Sequence, residues 1–154
     1  MGKEVLETAG FLTSQVSFLV MSDDCIFCGI VDGDVPGYKV YEDENVLAFL
    51  DVEPVSKGHT LVIPKEHVDD IHGAEEMEYM WKPLVKVSNA VREAFGAEGV
   101  NIAQNNGSKA GQEVFHLHFH VTPIYDGDEL DITYNRSELE NGEEIAEALS
   151  EELE

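Results

Sequence analysis

The run Phe115-His116-Leu117-His118-Phe119-His120-Val121 constrains this chain more than any other. Apolar and imidazole side chains alternate with a period of two. That is the period of a β-strand, whose successive side chains point to opposite faces. Phe115, Leu117, Phe119 and Val121 then form one face and need a core beneath them. His116, His118 and His120 form the other face, spaced about 7 Å apart, twice the strand rise. A strand of this kind belongs in a sheet with a second layer packed on its apolar side. Three of the six histidines fall within five residues. A bland row of surface imidazoles and a three-histidine metal site are both conceivable. However, rings at i, i+2 and i+4 along a flat strand rarely converge on one ion. An acid–base or nucleophilic cluster fits better, because imidazole attacks, donates and accepts protons near neutral pH.

The surrounding pattern gives the rest of a small α+β domain. Tyr38–Tyr41 and Val46–Phe49 are short apolar runs separated by Glu42-Asp43-Glu44-Asn45, a hairpin signal. His59–Ile63 reads as a third strand closed by Pro64. Apolar residues spaced by three and four between positions 74 and 95 predict an amphipathic helix, kinked or interrupted at Pro83 and stopped at Gly96. Val100–Ala103 is a fourth strand, Asn105-Asn106-Gly107 a turn, and Val114–Ile124 a fifth strand containing the histidines. A meander of about five antiparallel strands with one main helix on it is therefore expected. The order lacks the βαβ alternation and Gly-rich turn of a dinucleotide-binding fold. Residues 1–20 look unlike the rest and are set apart as an N-terminal extension, with Met21 a candidate start. Residues 21–135 form the domain. Residues 136–154 form an acidic tail, helical over about Glu143–Leu153.

Net charge narrows the function. The chain has 154 residues, 32 acidic and 9 basic, for a formal charge of −23. There is no basic stripe for nucleic acid and no positive patch for an anionic membrane. At 43% hydrophobic residues, the chain has core enough to escape disorder. The acid is scattered along the chain and lysine is scarce, which suits a surface solvated in concentrated salt. A halophilic, cytoplasmic protein is the expectation. No apolar run reaches the 18 or so residues of a membrane span, and Glu4 and Glu7 stand where a signal peptide carries positive charge.

The only cysteines are Cys25 and Cys28. Two thiols spaced C-x-x-C are too few for a secreted disulfide scaffold and read as metal-binding or redox-active. A redox pair belongs at a helix N-terminus following a strand, and no such pattern precedes Cys25. A tetrahedral zinc would need two more ligands from elsewhere.

The histidine strand resembles the signature of the histidine triad family. Further blocks resemble its Hint-like branch: Cys25–Ile30, Val46–Asp51, Gly58–Lys65, and Gly111-Gln112 just before the triad. The likeness spans residues 23–125. Thr122, where the signature usually ends on an apolar residue, is a small departure.

The resemblance implies a nucleotide hydrolase or transferase acting at the α-phosphorus of a purine nucleotide ester or phosphoramidate. His118 would be the nucleophile, forming a nucleotidyl-histidine that water cleaves, which turns one hard step into two easier ones. It implies His120 and His59 as phosphate ligands, His116 as the first triad member, and Asn105 as a polar group on the phosphate side. Backbone N–H groups of Gly111 and Gln112 would approach phosphate oxygens. Ile26, Phe27, Phe49, Leu50 and Val52 resemble the base pocket, and plain core packing is the alternative for each. Asp51 resembles the acid that binds ribose hydroxyls, or else ends a strand in a turn. Glu113 stands where many relatives carry a hydroxyl near the leaving group, which leaves the preferred leaving group open. In zinc-bearing relatives Cys25, Cys28, His67 and His116 would form a structural site. The resemblance also implies a homodimer, with Trp81 and the helix methionines compatible with either an interface or a core. Two alternatives remain in the same framework: a dinucleoside polyphosphate hydrolase, and a zinc-stabilised nucleotide-binding protein without turnover. His72, Lys57 and Lys65 are read as solvated surface residues.

Overall fold

The computed structural model describes residues 25–130 and 134–154. The leader of residues 1–20 and the candidate start at Met21 lie outside the described residues. Five strands form one antiparallel sheet: β1 (Lys39–Glu42), β2 (Val46–Leu50), β3 (Thr60–Pro64), β4 (Gly99–Ala103) and β5 (Phe119–Ile124). The spatial order is β1-β2-β3-β5-β4. The first three strands are a simple up-and-down run. The connection after β3 carries the long helix α2 (Trp81–Phe95) to the far edge, and β5 returns between β3 and β4. This is a split βαβ arrangement.

Both faces of the sheet are covered. β2 and β3 are buried almost throughout, because alternate residues serve two cores. Val46, Ala48, Val62, Leu117 and Val121 pack with Leu84, Val87 and Val91 of α2 and with Met77 and Met80. Leu47, Phe49, Leu61 and Ile63 face the other way and pack with Phe27 and Ile30. Those last two belong to α1 (Ile26–Asp32), a seven-residue helix not anticipated from the sequence. Cys25 caps it, its sulfur accepting from the Cys28 N–H at 3.2 Å. Gly33 ends it at φ 87°, a left-handed conformation that glycine adopts without strain.

Two boundaries differ from expectation. α2 begins at Trp81 rather than near residue 74, and 3-10 turns at Ile71–Gly73 and Glu78–Met80 precede it. Pro83 therefore lies in its first turn, where a missing N–H costs nothing, and neither kinks nor interrupts the helix. The histidine strand also starts late. β5 pairs only from Phe119, so Val114–His118 approach the sheet as irregular chain. Phe115 is accordingly exposed, while His116 is fully buried. The expected division into an apolar face and an imidazole face holds from His116 through Val121 and fails at Phe115, which finds no core beneath it. At the C-terminus, helix α3 (Gly142–Leu153) forms as expected and buries no residue. No helix among the described residues is long and apolar enough to cross a membrane.

Candidate active site

The pairing register lays Phe49, Leu61 and His120 in one row on the α1 side of the sheet. His118 lies against the same face, its ring edge-on to Phe27 with centroids 5.2 Å apart. His120 is 5.0 Å from His118 and 5.2 Å from His59, centroid to centroid. Three imidazoles thus meet at one spot, two of them on the triad segment and one at the entrance to β3. His116 is turned away towards the cysteines.

Hydrogen bonds assign the proton on each ring. His118 donates from Nδ1 to the carbonyl oxygen of His116 at 2.7 Å, so its Nε2 carries a lone pair. The Val55 N–H donates to His59 Nδ1 at 3.0 Å. The proton of His59 is therefore on Nε2, which lies 3.0 Å from His120 Nδ1 and donates to it. His120 is left with its proton on Nε2. The result is a lone pair on one ring beside an N–H on the next, which is what a nucleophile and a partnering donor require. Burial pushes the pKa of His59 below its ordinary value, outweighing the opposing pull of Asp51. Burial does the same for His120, with the His118 and His59 rings adding to the effect. Both rings are neutral at pH 7, as this chain of donors needs.

Asp51 approaches His59 Nε2 to 3.5 Å with Oδ2, while its Oδ1 accepts from the Glu53 N–H at 2.8 Å. The turn role and the site-facing role coexist, one oxygen to each. Asp51, His59 and His120 place ligand atoms close enough for a cation. The Val55 N–H opposes that reading, because it keeps the His59 proton on the nitrogen a metal would need.

The second cluster is different. The ligand atoms of Cys25, Cys28, His67 and His116 lie within 4.8 Å of one another. His116 donates from Nε2 to the Pro64 carbonyl at 2.8 Å, leaving Nδ1 as a lone pair. His67 Nε2 faces Asp69 Oδ1 at 3.0 Å, leaving its own Nδ1 bare. These two unprotonated nitrogens face each other at 3.2 Å. Cys25 Sγ is 3.2 Å from His116 Nδ1. Cys28 Sγ is 3.4 Å from His67 Nδ1 and 3.6 Å from His116 Nδ1. Ligand bonds of 2.0–2.3 Å imply tetrahedral edges of about 3.3–3.8 Å, so the donor set fits a tetrahedral cation. The carboxylate of Asp69 behind His67 is the usual outer support of a metal-bound imidazole. Burial holds the pKa of His116 down at about 4, against the opposing pull of the Pro64 carbonyl.

The remaining candidates divide. Phe27 and Phe49 are buried against each other, centroids 5.3 Å apart. Leu50 is partly exposed, and Ile26 and Val52 are open to solvent. Asn105 is in reach of the loop, with Nδ2 3.5 Å from the Gly111 carbonyl. The Gly111 and Gln112 N–H groups are not presented to a ligand as expected; they donate within the loop to Ser108 and Gly107 carbonyls. Gln112 works through its side chain instead. It accepts from the Gly107 N–H and donates to the Asp69 and Val114 carbonyls, tying this loop to the metal-ligand loop. Glu113 is exposed, and its charge reaches His120. His72 is on the surface, Lys65 pairs with Glu42 at 2.7 Å, and Lys57 caps the Phe95 ring at 4.7 Å. The sequence reading missed the Val55 N–H, the Pro64 carbonyl, Asp69 and the Gln112 clamp. Only Asp69 left a trace, two residues after a candidate ligand.

The HIT domain profile matches residues 32–127, more than half of the chain. The chain belongs to the HIT domain family. It is 51% identical over 100 residues to an adenosine 5'-monophosphoramidase of Schizosaccharomyces pombe, covering 64% of this chain and 73% of that protein. It is 38% identical over 111 residues to an adenylylsulfatase of Arabidopsis thaliana, covering 71% of this chain and 56% of that one. Among solved structures, the SMU.412c protein of Streptococcus mutans superposes with a TM-score of 0.80 at 44% identity, covering 86% of this chain and 87% of that one. This HIT protein thus has relatives named as a phosphoramidase and an adenylylsulfatase, and its α+β sheet matches that of the solved HIT structure.

Proposed function

We propose that this HIT protein hydrolyses or transfers nucleotidyl groups by attack on the α-phosphorus of a purine nucleotide ester or phosphoramidate. The unprotonated Nε2 of His118, fixed by the Nδ1–H bond to the His116 carbonyl, carries the proposal. The Nε2 lone pair forms a P–N bond as the bond from phosphorus to the leaving group breaks. His120 Nε2–H donates a hydrogen bond to a non-bridging phosphate oxygen, and the leaving group takes its proton from solvent. Water then attacks phosphorus, the P–N bond breaks, and the extra water proton returns to solvent. The named activities of the two relatives, a phosphoramidase and an adenylylsulfatase, both cleave at an adenylyl phosphorus and support this class. Ile26 and Val52 offer exposed apolar surface to the base, with Phe27 and Phe49 as its floor, and Asp51 is available to sugar hydroxyls.

Zinc is the proposed occupant of Cys25, Cys28, His67 and His116, on the strength of the donor chemistry and edge lengths described. Bound there, it would supply cross-linking of the N-terminal arm to the triad segment, and no catalytic step passes through it. Reduced thiols of this kind suit a cytoplasmic protein. A homodimer is proposed from the exposure of Trp81 and Val85, one turn apart on α2.

Turnover of an adenosine phosphoramidate against diadenosine tetraphosphate tests the reading and ranks its dinucleotide alternative. The His118→Asn variant is expected to lose on the order of 10⁴-fold or more. Full rate in that variant ends the nucleophile assignment, and no turnover of either substrate by the intact protein favours binding alone.

A further inference from the structure

The loop between β2 and β3 brings two groups to the candidate site: Asp51 at its start, and the Val55 N–H that fixes the His59 proton. Packing does not hold this loop. The Val52 and Val55 side chains are 70% and 73% exposed, and Glu53 and Pro54 are exposed as well. Hydrogen bonds to the end of β5 hold it instead. The ladder between β3 and β5 stops at Thr60 and Val121. Beyond it β5 presents the carbonyl of Pro123, a residue with no N–H, so the chain opposite must bring a donor. The Ser56 hydroxyl is that donor, at 2.6 Å. The Tyr125 hydroxyl donates in the other direction, to the Lys57 carbonyl, also at 2.6 Å. On the helix side, Gly58 at φ 96° lies so close to α2 that a Cβ would meet the Phe95 ring at 3.0 Å, and Lys57 Nζ sits over the same ring at 4.7 Å. The residue directly after Val55 is thus fastened to the strand that bears His120.

We propose that Ser56 and Tyr125 are positioning residues, which lock this loop so that the Val55 N–H stays on His59 Nδ1. With the lock in place, His59 keeps its proton on Nε2 and donates to His120 Nδ1, and His120 keeps its own proton on Nε2. Without the lock, an exposed loop has no packing to return it, and the Val55 N–H leaves the ring. The His59 proton then moves to Nδ1, where water accepts from it. His59 Nε2 becomes an acceptor, and His120 turns its proton to Nδ1 to meet it. The Nε2–H that bonds the phosphate is lost. Each ring carries one proton throughout, so the change is of tautomer and not of charge. Neither hydroxyl touches substrate. The proposal rests on His120 as the phosphate donor, but the tautomers of the two rings can be read without any substrate present.

The experiment compares Ser56→Ala, Tyr125→Phe, the double variant and Ser56→Thr with the intact chain, all checked for fold by far-UV circular dichroism. kcat and KM are measured on an adenosine phosphoramidate. In the substrate-free protein, 15N-edited NMR reads which nitrogen of His59 and of His120 carries the proton. Loss of either hydroxyl is expected to lower kcat by roughly 3–30-fold, part of what removing an oxyanion donor costs outright. KM should change far less, and the His59 signals should move from the Nε2–H pattern towards the Nδ1–H pattern. Ser56→Thr keeps a hydroxyl and should keep both the rate and the pattern of the intact chain. Loss of rate with unmoved ring signals overturns the proposal, because a merely structural role gives that result. Full kcat and an unmoved pattern in the folded double variant overturn it too, as does a threonine variant that loses as much as the alanine one. If the double variant does not fold, Tyr125→Phe, which removes a single oxygen, decides by the same two readouts. Full kcat despite a moved pattern leaves the lock standing and refutes His120 as the phosphate donor. If the intact protein turns over nothing, the functional reading fails, and the ring signals still decide: a moved pattern supports the lock and an unmoved one overturns it.

Discussion

His59 lies 3.0 Å from His120, nitrogen to nitrogen, and a backbone N–H from Val55 fixes the direction in which that bond runs. The family resemblance makes His59 a phosphate ligand. Its two nitrogens are already committed, one accepting from Val55 and one donating to His120, so its effect on phosphate passes through His120. Replacement by alanine should lower kcat by about 10–100-fold, a fraction of what a positioned phosphate donor contributes. Replacement by glutamine should keep most of the rate, because its amide oxygen accepts from Val55 and its amide N–H donates to His120. Equal losses in His59→Ala and His59→Gln, measured as kcat at saturating substrate, would refute the relay.

Acid should destabilise the fold over a defined range. Burial lowers the pKa of His59, His120 and His116 in the native state. Unfolded histidine protonates near pH 6.5. Below that value the unfolded chain binds protons that the native chain refuses, so stability falls as pH falls. The loss continues until the native rings protonate, for His116 at about 4. His116 alone accounts for about 3 kcal/mol over that interval. A metal on Nδ1 acts in the same direction, since protons compete with it. Calorimetric melting temperatures should hold steady above pH 7 and drop between about pH 6.5 and 4, with a shallower slope in His59→Gln. A constant melting temperature across this range would mean the rings are not held neutral.

Much of this architecture is legible in the residues, and its failures share a cause. β2 and β3 are readable because β-branched residues flanked by turns have few other uses. The two triad rings that meet substrate are placed by alternation alone. Alternation fails to bury Phe115, because a ladder is a property of two strands and β3 ends before it reaches that residue. α1 is invisible because seven residues give no periodicity and cysteine is an uncommon cap. Pro83 misleads because its cost depends on its distance from a helix start that sequence does not fix. Val55 leaves no trace at all, since it acts through a backbone N–H that every residue but proline has. The metal set is only half visible: C-x-x-C shows itself, whereas His67 needs a family resemblance to be found.

Trp81 is 69% exposed at the start of α2, with Val85 one turn on. Met77 and Met80 are in the core, so the choice left open for the helix methionines closes in favour of packing. A large exposed indole beside a valine is the kind of apolar surface that association covers. Trp81→Glu should therefore shift the chain from dimer to monomer in light-scattering chromatography without changing its melting in dilute solution through the core. A wild-type chain that elutes as a monomer at 100 μM would remove the dimer.

Salt should stabilise this chain, and the C-terminal tail tells how much of that is surface charge. Residues 136–154 hold eight glutamates and one arginine, a net −7 of the total −23. Helix α3 carries five of those glutamates and buries nothing, so the tail adds repulsion with no packing to offset it. Screening shortens the reach of these charges from about 10 Å at 0.1 M to about 3 Å at 1 M salt. Melting temperature should rise with potassium chloride over that range, and rise less in a chain ending at residue 135. Activity should rise alongside, since phosphate capture by His118 and His120 acts at contact range while distant carboxylates repel the substrate only at low salt. A flat or falling profile up to 1 M would overturn the halophilic expectation and leave the chemistry of the triad untouched. A rise of equal size in the truncated chain would locate the effect in the folded domain rather than in the tail.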